Sequence, residues 1–263
     1  MTNPRTYGKP PYRLAVLHGG PGAAGEMAPV ARELSSGWGI LEPLQTAASL
    51  EGQIQELRTV LEKDAVLPVT LIGFSWGAWL SFIFAATYPD SVGKLILIGS
   101  GPFEEKYVAG IAETRLSRLS EEDRTEVKYL IDILDNPVVE DKNTVFSQLG
   151  ALLSKADAYD PIAHEPEIID CRFDVFQGVW QDAAELRSSG KLLGLGKRIN
   201  CPVTAIHGDY DPHPAEGVQK PLSTIIKNFR FIPLKNCGHR PWIERQARDK
   251  FYEILREELP RGK

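Results

Sequence analysis

The stretch "VTLIGFSWGAWLSFIFAATYPD", residues 69–90, decides the fold of this chain. Val69, Thr70, Leu71 and Ile72 form a short, mostly β-branched run, which suits a strand buried on both faces. From Trp79 to Ala86 the residues are nearly all apolar, too many for a surface loop, and Tyr88-Pro89-Asp90 closes the segment because proline cannot continue a helix. The order is therefore strand, sharp turn, buried helix. Gly73 and Gly77 stand two residues either side of Ser75 at that turn. Glycines there permit close strand–helix packing around a strained residue and leave its oxygen exposed above a sheet, the G-x-S-x-G nucleophile elbow. A chain with this many glycines and serines yields about 0.1 such pentapeptides by chance. The flanking strand and helix, more than the pentapeptide, carry the signal.

Outward from the elbow, further apolar runs end in polar or glycine-rich loops. Residues 14–17 run into His18-Gly19-Gly20-Pro21-Gly22, residues 95–98 into Gly99-Ser100-Gly101, and residues 203–206 into "HGDYDPHP". A weaker strand is predicted at 38–44, and a last one at 231–234 before Cys237-Gly238-His239. Helical patterns fall at 50–63, 76–88, about 215–228 and 241–257. Strand–helix alternation predicts a parallel sheet covered on both faces, with ligands at the carboxyl ends of its strands. Residues 103–198 break the rhythm with four amphipathic patterns, at 105–119, 122–135, 144–159 and 175–189. They read as a helical lid (103–198) inserted into a core made of 1–102 and 199–263.

Bulk properties narrow the function. The 263 residues are 43% hydrophobic and 25% charged, an ordinary globular balance. A net charge of -5 without a dense Lys/Arg run argues against nucleic acid and anionic membrane as partners. The first twenty residues lack the apolar core of a signal peptide, and no run approaches the roughly 18 apolar residues of a membrane span. Cys171, Cys201 and Cys237 lack CxxC spacing, which points to reduced thiols and a cytoplasmic location. No Cys/His cluster has ligand spacing, so neither metal nor organic cofactor is expected.

Attack on a carbonyl by serine requires a base, an acid that orients it, and backbone donors for the oxyanion. Of five histidines, His239 sits between the last strand and the last helix, where a base following the acid in chain order belongs. Asp209 and Asp211 are the candidate acids. Asp209 follows its strand at once and is placed to fix the turn, whereas Pro212 and Pro214 stiffen the backbone just beyond Asp211. For the oxyanion, the amide of Trp76 opens a helix, and "HGGPG" is the loop that brings a second amide close.

On these residues the chain resembles the α/β-hydrolases. "HGGPG" with "GFSWGAW" is similar to the proline iminopeptidase branch, and "GHRPWIE" to that branch's histidine loop. The resemblance covers about 14–102 and 202–258, with the helical segment matching the cap in position alone. It implies Ser75 as nucleophile, His239 as base, Asp211 as the acid closing a G-x-x-D pattern, and Gly20 with Trp76 as oxyanion amides. The fold implied is a mostly parallel sheet of about six strands with helices on both faces and a helical cap. The activity implied is hydrolysis of a small ester or amide through an acyl-enzyme, with aminopeptidase as its sharp version. Carbon–carbon bond hydrolysis and a non-catalytic binding protein are the alternatives. Two features depart from the branch: "EPLQTAASLEG" replaces a D-x-x-G-x-G-x-S loop, and too few residues precede Leu14 for a full hairpin. An aminopeptidase needs cap carboxylates for the substrate amine, for which Glu104, Glu105, Glu113, Glu140 and Glu185 are available.

Overall fold

A computed structural model describes residues 3–163 and 170–260. Its strands are β1 (Arg5–Tyr7), β2 (Tyr12–Leu17), β3 (Ala23–Ala24), β4 (Gly39–Glu42), β5 (Val69–Phe74), β6 (Val92–Ile98), β7 (Asp170–Cys171), β8 (Val203–Gly208) and β9 (Phe229–Leu234). Its helices are α1 (Ala28–Leu34), α2 (Leu50–Asp64), α3 (Trp76–Thr87), α4 (Ile111–Ser117), α5 (Glu121–Asp135), α6 (Lys142–Asp157), α7 (Phe173–Ser188), α8 (Lys191–Leu195), α9 (Glu216–Ile225) and α10 (Arg248–Glu258).

Seven strands make one sheet in the order β1-β4-β2-β5-β6-β8-β9, parallel except for β1, which pairs antiparallel with β4. The expected count of about six misses β1. Three residues, Arg5-Thr6-Tyr7, carry no apolar run, yet they suffice for an edge strand. The period-2 alternation of side chains puts each central strand into two cores. Ala15, Leu17, Leu71, Leu95 and Leu97 join one apolar cluster with α2 and α3, while Leu14, Val16, Ile72, Ile96 and Ile98 join another with α1 and α10. Helix α3 is buried from Trp76 to Ala86, which is why it shows no polar face.

Between β6 and β8 the chain builds α4 to α8, with a third apolar cluster of its own around Val127, Leu130, Leu134 and Leu149. The tiny β7 pairs with β3, tying this segment to the loop after β2. The helix expected at 105–119 forms only as α4, because Gly110 at φ 98 breaks it. The helix expected from 241 starts instead at Arg248. Pro241–Ile243 turn as a 3-10 segment, and Glu244, fully buried, spends its carboxylate on the amides of Tyr159, Asp160 and Gly238. No helix among the described residues is long and apolar enough to cross a membrane.

Candidate active site

Ser75 follows β5 with φ 50 and ψ -111, a conformation an L-residue holds only at a cost of about 1–3 kcal/mol. The local sequence makes it possible. A Cβ on Gly73 would strike the Gly77 carbonyl, and one on Gly77 would strike the Leu17 and His18 carbonyls, so neither position accepts a side chain without moving β2, β5 or α3. The Ser75 amide donates to the Ile98 carbonyl at 2.9 Å, tying the turn to the end of β6.

His239, on the loop after β9, is 8% exposed and packs its ring 4.7 Å from Phe74. Gly99, one residue past the carbonyl that takes the Ser75 amide, adopts φ 50 under this ring; a Cβ there would lie 3.0 Å from His239 Nδ1. The backbone amide of His239 donates to the Asp157 carbonyl at 2.8 Å, so the end of α6 also fixes the loop.

Asp211 lies 2.7 Å from His239 Nδ1 through Oδ2. Its other oxygen, Oδ1, accepts from the backbone amide of His213 at 2.9 Å and lies 2.8 Å from His213 Nδ1. A carboxylate only accepts, so both imidazoles carry their proton on Nδ1 and leave Nε2 as a base. His207 adds a third ring, its Nε2 3.6 Å from Asp211 Oδ2. Burial alone would raise the Asp211 pKa, but the neighbouring histidines hold it well below the ordinary carboxylate value. For His239, burial pulls down and the Asp211 charge and hydrogen bond pull up more strongly, so the pKa is raised. His213, with burial dominant, is lowered. Asp209 is exposed and accepts the Cys237 amide at 3.2 Å, which pins the loop after β8 to the histidine loop.

Gly20 has φ 39, and Trp76 is the first residue of α3. Among the described residues neither amide donates a hydrogen bond to the protein. The Glu26 carboxylate, packed beside the neighbouring Gly19, sits 3.9 Å from Arg240. His18 is fully buried with Nδ1 2.7 Å from the Gly19 carbonyl; burial lowers its pKa to about 4, so it stays neutral. His164 lies outside the described residues.

A cavity of about 400 Å³ opens on Ser75. Its walls come from both sides: Trp76 and Trp79 of α3 below, and residues of α4, α5, α6 and α7 above. The lining is apolar apart from Ser75, His213, Arg115 and Arg187. None of the five glutamates considered for amine recognition lines it. Glu105 instead pairs with Arg187 and Glu104 with Lys106, while Glu113, Glu140 and Glu185 are exposed.

Asp211, His213 and His239 each offer a ligating atom within 4.8 Å of one another, the one such group among the described residues. The carboxylate is already committed to three N–H donors, which is the pattern of proton transfer. His213, Glu244, Asp157 and the two arginines escaped the sequence reading. Only His213 left a local signal, two residues beyond Asp211 in "DPHP".

Residues 51–245 match the family described as alpha/beta hydrolase fold. The chain belongs to the α/β-hydrolases. This α/β-hydrolase is 22% identical over 269 residues to a proline iminopeptidase of Lactobacillus delbrueckii subsp. lactis, covering 94% of this chain and 89% of that protein. Among solved structures, proline iminopeptidase of Mycobacterium smegmatis superposes with a TM-score of 0.62 at 17% identity, over 97% of this chain and 92% of that one. A meta-cleavage product hydrolase of Pseudomonas fluorescens IP01 does so with 0.64 at 16%, over 97% and 92%. Relatives of such different names share the scaffold, so the substrate must be argued from the pocket.

Proposed function

We propose that this α/β-hydrolase is a serine hydrolase that cleaves an ester or amide of a small molecule through an acyl-enzyme, with Ser75 as nucleophile, His239 as base and Asp211 as the acid that orients it. The observation that carries the reading is the buried Asp211 carboxylate holding His239 Nδ1 at 2.7 Å, on a loop packed against the strand end that also fixes the Ser75 amide. With Nδ1 so held, Nε2 takes the Ser75 proton as the oxygen attacks the carbonyl. The free amides of Gly20 and Trp76 receive the oxyanion. His239 then gives its proton to the leaving group, and a water activated the same way releases the acid.

Residues 103–198 serve as a cap in this reading, because they supply one wall of the cavity above Ser75. That wall carries no carboxylate among the described residues, which favours acyl esters over peptides with a free amino terminus. A panel of short p-nitrophenyl acyl esters against proline and alanine β-naphthylamides tests this. Turnover of esters, with amides at least about tenfold slower in kcat/KM, is expected. Faster cleavage of the proline amide than of any ester would overturn the preference, and no turnover of either would count against the hydrolase reading itself.

A further inference from the structure

The two arginines on the cavity wall are not equivalent. Arg115 makes a two-pronged pair with Asp157, Nε to Oδ1 at 2.7 Å and Nη2 to Oδ2 at 2.8 Å, so its charge is matched inside the protein. Arg187 is 8% exposed and hydrogen-bonds only through Nε among the described residues, to Glu105 Oε2 at 2.7 Å. The Glu105 side chain is 53% exposed, and water screens its charge. Among the described residues the two terminal nitrogens of Arg187 have no acceptor. The guanidinium is instead held by rings, 5.5 Å from the centroid of Trp79 and 6.0 Å from that of Trp180. These indoles stack on each other at 5.9 Å with 1° between their planes, and Trp79 Nε1 is anchored on the Gly101 carbonyl.

The placement follows from helical periodicity. Trp180 and Arg187 are seven residues apart on α7 and share its inner face. Trp79 is four residues beyond Ser75 on α3, one turn from the elbow. A ligand whose carbonyl sits at Ser75 runs along the tryptophans towards Arg187. There it meets an almost buried cation with a free end, and the flat end of a guanidinium matches the two oxygens of a carboxylate.

We propose that Arg187 is the receptor for a carboxylate at the far end of the acyl chain, so that the substrates are esters or amides of dicarboxylic acids that keep one acid group free. The scissile carbonyl lies at Ser75, the chain crosses the Trp79 and Trp180 rings, and the free carboxylate docks on the Arg187 guanidinium. This inference rests on the serine-hydrolase reading above.

The test uses p-nitrophenyl half-esters from succinate to suberate, each beside its counterpart with the free acid capped as a methyl ester. At the best chain length the free acid is expected to exceed the capped compound by about ten- to hundredfold in kcat/KM, the range for hydrogen bonds to a charged group, mostly through KM. In Arg187→Met that ratio falls to near one. The matching dicarboxylate should also slow fluorophosphonate labelling of the wild type competitively, a measurement that stands even if the variant fails to fold. A wild type that labels normally yet shows no preference for the free acid at any length overturns the Arg187 proposal and leaves the hydrolase reading standing. Equal loss on both members of the pair in a folded Arg187→Met overturns it too. Absence of labelling in the wild type removes the reading on which it rests.

Discussion

Asparagine at position 211 poses a problem that the surrounding hydrogen bonds make specific. Asp211 accepts on both oxygens: His239 Nδ1 on Oδ2, and the backbone amide and Nδ1 of His213 on Oδ1. Asparagine offers one oxygen and one NH₂. The His213 backbone amide can only donate, so the asparagine oxygen must take the Oδ1 place. The NH₂ group then faces His239 and forces Nδ1 to become an acceptor. The proton moves to Nε2, where it blocks the atom that should receive the Ser75 proton. In a serine protease with the same three groups this tautomer error lowers kcat by about 10⁴, equivalent to about 5 kcal/mol of barrier. The protein should still fold, since shape and most hydrogen bonds survive. The assay is kcat/KM on the best ester for Asp211→Asn and Asp209→Asn, with melting temperatures alongside. Asp209 holds a single loop amide at 3.2 Å, so its variant should lose less than about tenfold, with a melting temperature lowered by a few degrees. An Asp211→Asn enzyme within tenfold of wild type would refute the tautomer argument, and a crippled Asp209→Asn enzyme would show the acid misassigned.

Three further outcomes follow. The acid limb of the kcat/KM profile should have its midpoint above 6.5, because His239 must be neutral to act and its pKa is raised in the fold; activity is lost as pH falls through that raised value, and a midpoint below 6.5 contradicts the assignment. Gly77→Ala puts a methyl against the Leu17 and His18 carbonyls and should lower both melting temperature and serine labelling; unchanged values for both would show that the elbow is looser than drawn. Glu244→Ala strands the amides of Tyr159, Asp160 and Gly238 and should destabilise the protein by about 1–3 kcal/mol per amide left without a partner; a midpoint of denaturation equal to wild type would remove Glu244 as the brace of the histidine loop.

The central strands were legible because burial on both faces leaves unbroken apolar runs, as in Leu14–Leu17 and Leu95–Ile98. β1 was not, since its edge position asks little of its three side chains. The elbow was legible because sterics at Gly73 and Gly77 write a fixed spacing into the chain. The late start of α10 was not: Glu244 looks like an ordinary first-turn acid until the amides of residues 159 and 160 arrive from a remote segment. The same holds for Arg187, whose pattern on α7 reads as an amphipathic surface residue and whose stacking partner Trp79 lies more than a hundred residues away. Local rules mark residues whose own backbone is constrained. They are silent on side chains recruited by tertiary packing, and the pocket is made of those.

Fluorophosphonate labelling followed by peptide mass spectrometry tests the central claim most directly. A serine made nucleophilic by His239 should react, and the adduct should map to the peptide containing Ser75 and to no other serine. Ser75→Ala should abolish it, and should lower ester turnover by several orders of magnitude. Labelling that persists in Ser75→Ala, or an adduct mapped to a different serine in the wild type, would contradict the account.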